Sequence, residues 1–191
     1  LDLKYDGWEL DEISIGANFG VVKLDGRFDI RTSGEDTGLG GNLTVTMPGD
    51  LFKVTVDGGC FEHDSGAEDS KEGDKFTWGY FYGELDSKTG VGMDPVKITG
   101  VKFGLFFNCK RGGGKGSKVD LSNTKDAPVP SYGTIGIIAG LSLSAISEST
   151  MSGDFDMTVI YQKATEDKDG YLSAFLLNGS ISGAGGLVKS K

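Results

Sequence analysis

Any chemistry in this sequence would have to be built around one imidazole. His63 lies between Glu62 and Asp64 and is the only histidine in 191 residues. That excludes a site needing several histidine ligands, and a Ser-His-Asp triad has no other base to draw on. No Gly-x-Ser-x-Gly elbow supplies a nucleophile. Asp and Glu total 28, so two carboxylates could meet in a cleft, but no spacing marks a particular pair as acid and base. The reading is a non-enzyme with no catalytic residue to name and no cofactor implied.

Three stretches imitate ligand-binding motifs and fail on their spacing. Gly112 to Lys118 (GGGKGSK) evokes a phosphate loop, but Lys115 is followed by Gly116 where the motif requires Ser or Thr opening a helix. It reads as a loop. Thr165 to Gly170 (TEDKDG) places Asp167, Asp169 and Gly170 at positions three, five and six of a calcium loop. Position one is then Thr165 and position twelve Leu176, so the first Asp and the bidentate Glu are missing and a hairpin turn accounts for it. The acidic cluster Glu62, Asp64, Glu68, Asp69, Glu72 and Asp74 offers hard oxygen ligands, but its density is that of a solvated loop. No metal site is assigned.

Other residue types point to binding or cross-linking. Cys60 and Cys109 each end a long strand ahead of a polar loop, so they are candidates for a disulfide or equally for two free thiols. A bridge would contribute roughly 4 kcal/mol in the chain-entropy model. Asn42-Leu43-Thr44 and Asn178-Gly179-Ser180 are glycosylation sequons, which with the cysteines lean towards an extracellular, secreted setting. The densest apolar feature is the run Phe76, Trp78, Tyr80, Phe81 and Tyr82, with Gly79 and Gly83 beside it. Rings fall on both faces of this strand. Trp78, Tyr80 and Tyr82 could form a stacking platform for a sugar or a flat apolar ligand; the competing reading is core packing, with glycine leaving room for a cross-strand ring.

The elements that must position these residues are strands. Leu43, Val45 and Met47 alternate with threonines, and after Pro48-Gly49-Asp50 the alternation resumes at Phe52, Val54 and Val56, which predicts a hairpin with one apolar face. Similar runs occupy Trp8 to Ile15, Phe19 to Leu24, Arg27 to Arg31, Phe76 to Leu85, Val96 to Phe107, Tyr132 to Ile146, Phe155 to Tyr161 and Tyr171 to Ile181, about ten strands in all. Asp25-Gly26, Asp57-Gly58-Gly59 and Asp169-Gly170 have tight-turn chemistry. In Val96 to Phe107 the apolar phase switches parity at Gly100, which predicts a β-bulge. His63 to Lys75 and Lys110 to Pro130 are polar loops. The expected fold is a single all-β domain, residues 1 to 191. It is an antiparallel meander in a strongly twisted or elongated sheet, a barrel or a sandwich. No stretch has a helical stripe with capping signals.

Composition narrows the partners. The formal net charge is −9 and the pI about 4.6, which argues against nucleic acid and against adsorption to anionic membrane surfaces. No apolar run approaches the roughly 18 residues of a membrane helix. Glycine, at 32 residues, is more than twice as frequent as usual and lies within the strand-like segments. The chain opens Leu1-Asp2-Leu3-Lys4-Tyr5, as if inside an alternating strand, and no signal-peptide pattern precedes it, as in a processed product or an excised piece of a longer chain.

Asp94 to Asn108 (DPVKITGVKFGLFFN) and Tyr171 to Lys191 (YLSAFLLNGSISGAGGLVKSK), with Trp8 to Asp29 more faintly, resemble segments of very large, repetitive, β-rich proteins of fungi and bacteria that carry a domain of unknown function. The resemblance implies a fragment of a longer β-rich chain and brings no catalytic residues. The functional expectation is a structural, self-assembling extracellular protein that forms oligomers or fibres through open strand edges. The second expectation is a carbohydrate- or lipid-binding β domain.

Overall fold

The computed structural model describes residues 12–20, 22–66, 73–92, 95–111, 128–145, 151–164 and 168–183. They form one nine-stranded antiparallel sheet in sequence order: β1 (Glu12–Asn18), β2 (Lys23–Arg31), β3 (Asp36–Thr46), β4 (Phe52–Asp64), β5 (Lys75–Val91), β6 (Val96–Arg111), β7 (Pro128–Ala145), β8 (Met151–Gln162) and β9 (Tyr171–Gly183). This is the expected meander. β1 and β9 are its edges and do not pair with each other, so the sheet is open, and among the described residues no second sheet packs on it.

The described strands number nine because Lys23 and Leu24, the end of the expected run Phe19 to Leu24, belong with Arg27 to Arg31 to one strand, β2, while Phe19 precedes it. Asp25-Gly26 is not a turn: it lies inside β2, paired with Thr44 and Leu43. Asp57-Gly58-Gly59 likewise continues through β4, with Gly58 and Gly59 opposite Gly41 and Gly40. These glycines make room. A Cβ on Gly40 would stand 2.8 Å from the Phe61 ring, and one on Gly59 would meet the same ring. The glycine patch is a seat for an aromatic side chain, and a composition that suits a tight turn suits this close approach equally.

Other expectations hold. The Leu43 to Val56 hairpin pairs Val45 with Val54 around a 3-10 turn at Pro48–Asp50. Around Gly100 the register shifts, with Ile98 opposite Leu143 and Gly100 opposite Ser142, leaving Thr99 as the extra residue. This bulge returns Val96 and Ile98 to the face that carries Val101 to Phe107, which the sequence parity had split. The 63–75 segment is strand to Asp64 and from Lys75, the Ser65 N–H donates to the Asp74 carbonyl (3.0 Å), and residues 67–72 lie outside the described residues. Asp169 and Gly170 precede β9; Thr165 to Asp167, Gly112 to Lys118 and Trp8 to Asp11 lie outside the described residues.

The core is on one face. Phe61, Trp78, Phe106, Cys109, Ile138 and Ile160 are buried together, with Phe76, Tyr80 and Ala174 against them. With no covering layer, these side chains must cover one another, which requires the sheet to curl towards them. It does: β5 and β7 come within 8 Å across β6, whereas a flat sheet would hold them about 9.5 Å apart. The aromatic face is concave and its reverse convex.

Candidate functional site

Side chains alternate between the faces of a strand, so the cross-strand pairing assigns every strand residue to one face. The convex face carries Ile13 and Ile15 of β1, Leu24, Phe28 and Ile30 of β2, and Leu39, Leu43 and Val45 of β3. It continues through Phe52, Val54 and Val56 of β4, Phe81 and Leu85 of β5, and Val101, Phe103, Leu105 and Phe107 of β6. Ile135, Ile137, Leu141 and Leu143 of β7, Met151, Phe155, Met157 and Val159 of β8, and Phe175, Leu177 and Ile181 of β9 complete it. Between these residues lie mostly glycine and alanine. Many stand open to solvent: Phe103 is 44% exposed, Phe107 53% and Leu177 69%. Among the described strand residues, charge reaches the convex face at Lys110 of β6, opposite Val129, and at the end of the β4–β5 pair, where Glu62, Asp64 and Lys75 lie beyond Cys60. There Lys75 Nζ holds Asp64 Oδ2 at 2.8 Å. Lys75 first, then the Gly66 N–H, draws the Asp64 carboxyl below its ordinary pKa.

The concave face divides into two zones. At one end stands an aromatic stack: Phe61 and Trp78 have centroids 4.5 Å apart, Tyr80 follows at 6.5 Å, and Phe106 lies 6.4 Å beyond Tyr80. Arg31 caps Phe61 at 4.7 Å. Asp36 Oδ1 accepts from Trp78 Nε1 (2.9 Å) and lies 2.8 Å from His63 Nδ1. At the other end the face is polar, with Asp25, Thr44, Thr55, Glu84, Lys102 and Asp156 along one row of cross-strand partners. Lys102 Nζ lies 3.7 Å from Glu84, and Asp86, Lys53 and Asp154 line an open hollow one step further along.

The sequence-selected residues fall as follows. Trp78 (1% exposed) and Tyr82 are buried, and Tyr80 is half-buried with its hydroxyl on Asp57 (3.1 Å). Trp78 and Tyr80 are packed into the concave stack, with Trp78 between Phe61 and Tyr80, while the buried Tyr82 donates its hydroxyl to Glu84 Oε2 (3.3 Å), so the three present no open platform. Cys60 and Cys109 are free and on opposite faces: Cys60 is exposed on the convex side, whereas Cys109 is buried in the concave core with its thiol on the Gly79 carbonyl (3.1 Å). No disulfide joins them in this structure. Asn42 and Asn178 lie within β3 and β9 on the concave face, not in the loops that acceptor asparagines favour. Of the acidic cluster, Glu68, Asp69 and Glu72 lie outside the described residues, and among the described residues no three His, Cys, Asp or Glu side chains converge to hold a metal.

Two residues had no sequence signal. Asp36 reaches His63 and Trp78 only through the β3–β4–β5 register. Asn108, with φ +49°, sits at a second register shift, where it alone stands opposite Ser131 to Thr134 of β7, and ties three strands: its Nδ2 donates to Thr77 O (2.8 Å) and its Oδ1 accepts from Gly133 N (2.9 Å). Asparagine is among the few residues that tolerate that conformation. No family model, curated protein or solved structure matches the chain, so the resemblance to large repetitive proteins adds nothing to the functional reading.

Proposed function

We propose that this sheet is the wall of a membrane-spanning β-barrel, its convex face against lipid acyl chains and its concave face lining a polar interior. The observation that carries the reading is the sorting of the two faces. From β1 to β9 the convex face is apolar and uncovered along the middle of the strands, with Glu62, Asp64, Lys75 and Lys110 near strand ends, while most of the described strand charges lie on the concave face. A water-soluble protein rarely exposes a contiguous apolar patch beyond a few hundred Å², whereas apolar-out, polar-in alternation is the rule for strands in a bilayer. The dimensions agree. The convex run Met151 to Tyr161 spans ten steps, about 33 Å at ~3.3 Å per residue, and tilted as barrel strands are it covers about 25 Å, the height of a membrane barrel's apolar band.

No helix among the described residues is long and apolar enough to cross a membrane, and that criterion does not bear on strands. The acidic net charge, which argues against electrostatic adsorption, is compatible with insertion because most of the described strand charges lie on the concave face or near strand ends. The role is structural and conductive, not catalytic, and a bilayer replaces the secreted setting expected from the sequons. Of the binding alternatives, lipid is favoured over sugar. An apolar groove of about 140 Å³ on the convex face, lined by Val96, Leu143, Ala145, Met151, Phe155 and Ile181, suits an acyl chain, whereas the aromatic platform is buried.

The test is a face-specific label in phosphatidylcholine vesicles. In a Cys60→Ser background, a fluorophore at Leu105→Cys is quenched by nitroxides on the acyl chains and shielded from aqueous iodide, and one at Ser142→Cys behaves the opposite way. Equal iodide access at both positions, with the protein in the aqueous fraction, would refute the proposal.

A further inference from the structure

Polarity is not uniform along the strands: it inverts. Towards the end where β5 meets β6 and β7 meets β8, the convex face carries Val54, Leu85, Ile98 and Leu143, and the concave face carries Lys53, Asp86, Ser142 and Asp154. Towards the opposite end the order is exchanged. There the convex face carries Thr37, Glu62, Thr77, Asp64, Lys75 and Lys110, with Val129 an apolar exception, while Phe61, Phe76 and Trp78 pack together on the concave side. Apolar-out with polar-in suits lipid, whereas apolar-in with charge-out is the arrangement of a protein in water. A sheet that holds both passes from one medium into the other, and this inference rests on the membrane reading above.

We infer that the hydrocarbon ends at the level of Cys60, Phe107, Ile135 and Tyr161, and that beyond it the sheet stands in water as a collar with its own aromatic core, on the side from which the chain inserts. Three observations lead there. Those four residues lie along one convex row through Gly79, and the row closes on β8 the Met151 to Tyr161 run that matches the apolar band. It ends on a tyrosine, an aromatic residue suited to the girdle at a membrane interface. Next, Asp64 is four residues past Cys60, about 13 Å along the strand at ~3.3 Å per residue. That distance carries the Asp64–Lys75 ion pair (2.8 Å) out of hydrocarbon, where burying charge is costly. On the concave side of the same end, Asp36, His63 and Arg31 border the aromatic stack with polar groups. Last, the connections at the collar end span 65–74, 112–127 and 163–170 beside the short 32–35, whereas those at the other end span only 19–22, 47–51, 92–95 and 146–150. Each peptide group drawn through hydrocarbon costs free energy, so the end with the short connections leads and the collar stays behind.

The test adds Cys60→Ser protein, in which the remaining Cys109 is buried, to preformed phosphatidylcholine vesicles with a fluorophore at Leu105→Cys or at Asp64→Cys. Nitroxides at mid-chain are expected to quench the label at Leu105→Cys about tenfold more strongly than that at Asp64→Cys, because the two lie on opposite sides of the edge of a ~25 Å apolar band. Iodide in the water should reverse the order. A membrane-impermeant maleimide added outside should react with unlabelled Asp64→Cys without detergent. Thr77→Cys, on the same convex end, repeats both measurements should Asp64→Cys fail to fold. Mid-chain quenching at Asp64→Cys equal to that at Leu105→Cys would put this end in lipid and overturn the collar, and reaction with the maleimide only after detergent would overturn its side. Either result with Leu105→Cys still quenched by the acyl chains leaves the membrane reading standing, whereas Leu105→Cys open to iodide, with the protein in the aqueous fraction, sinks both.

Discussion

The two faces of this sheet share one backbone and one hydrogen-bond ladder, yet they use apolar residues in opposite ways. On the concave face, Phe61, Trp78 and Phe106 are buried by one another and fixed by hydrogen bonds such as Trp78 to Asp36. On the convex face, Phe103, Leu105 and Phe107 are comparable in size and stand uncovered. Hydrophobicity alone therefore does not define a core. Curvature does, because curling brings concave side chains together and splays convex ones apart, leaving the latter to whatever medium lies outside.

Substitutions divide along the same line. The largest effect is expected from Trp78→Ala, which empties the middle of the concave stack and leaves Asp36 with one partner fewer; about 3–5 kcal/mol should be lost in denaturant unfolding. A loss below 1 kcal/mol would mean that the stack is not the core. Next comes Leu105→Arg, at about 2–4 kcal/mol in vesicles if the convex face meets lipid near the midplane. Stability unaffected by that change in lipid would break the distinction between the faces. Gly59→Val pushes the Phe61 ring from its seat without adding charge and should cost about 1–3 kcal/mol, read as a lower unfolding midpoint; Phe61→Leu in the same chain should recover part of it. Smallest is Ser152→Arg, the charge of the second variant moved to the concave, exposed end of β8, where a change within about 0.5 kcal/mol is expected. A cost matching that of Leu105→Arg would show that arginine is harmful on either face and that lipid is not the reason.

Most of the fold is legible in the residues themselves. Period-two alternation locates the strands, as in Leu43 to Val56, and a parity break locates the bulge at Gly100, because both are short-range consequences of strand geometry. The glycines were not legible in that way: Gly26, Gly58 and Gly59 have turn chemistry but sit within strands, and only the cross-strand register reveals that Gly40 and Gly59 make room for Phe61.

The sequence by itself determined that this is an acidic, glycine-rich antiparallel meander with apolar residues on alternate positions, since each of those properties depends on composition or on neighbours along the chain. Only the tertiary structure decided which apolar set is buried, that Trp78 belongs to the core, that Cys60 and Cys109 lie on opposite faces and that Asp36 serves His63 and Trp78. Those facts depend on the direction of curl and on pairings tens of residues apart, neither of which is written in any local window of the chain.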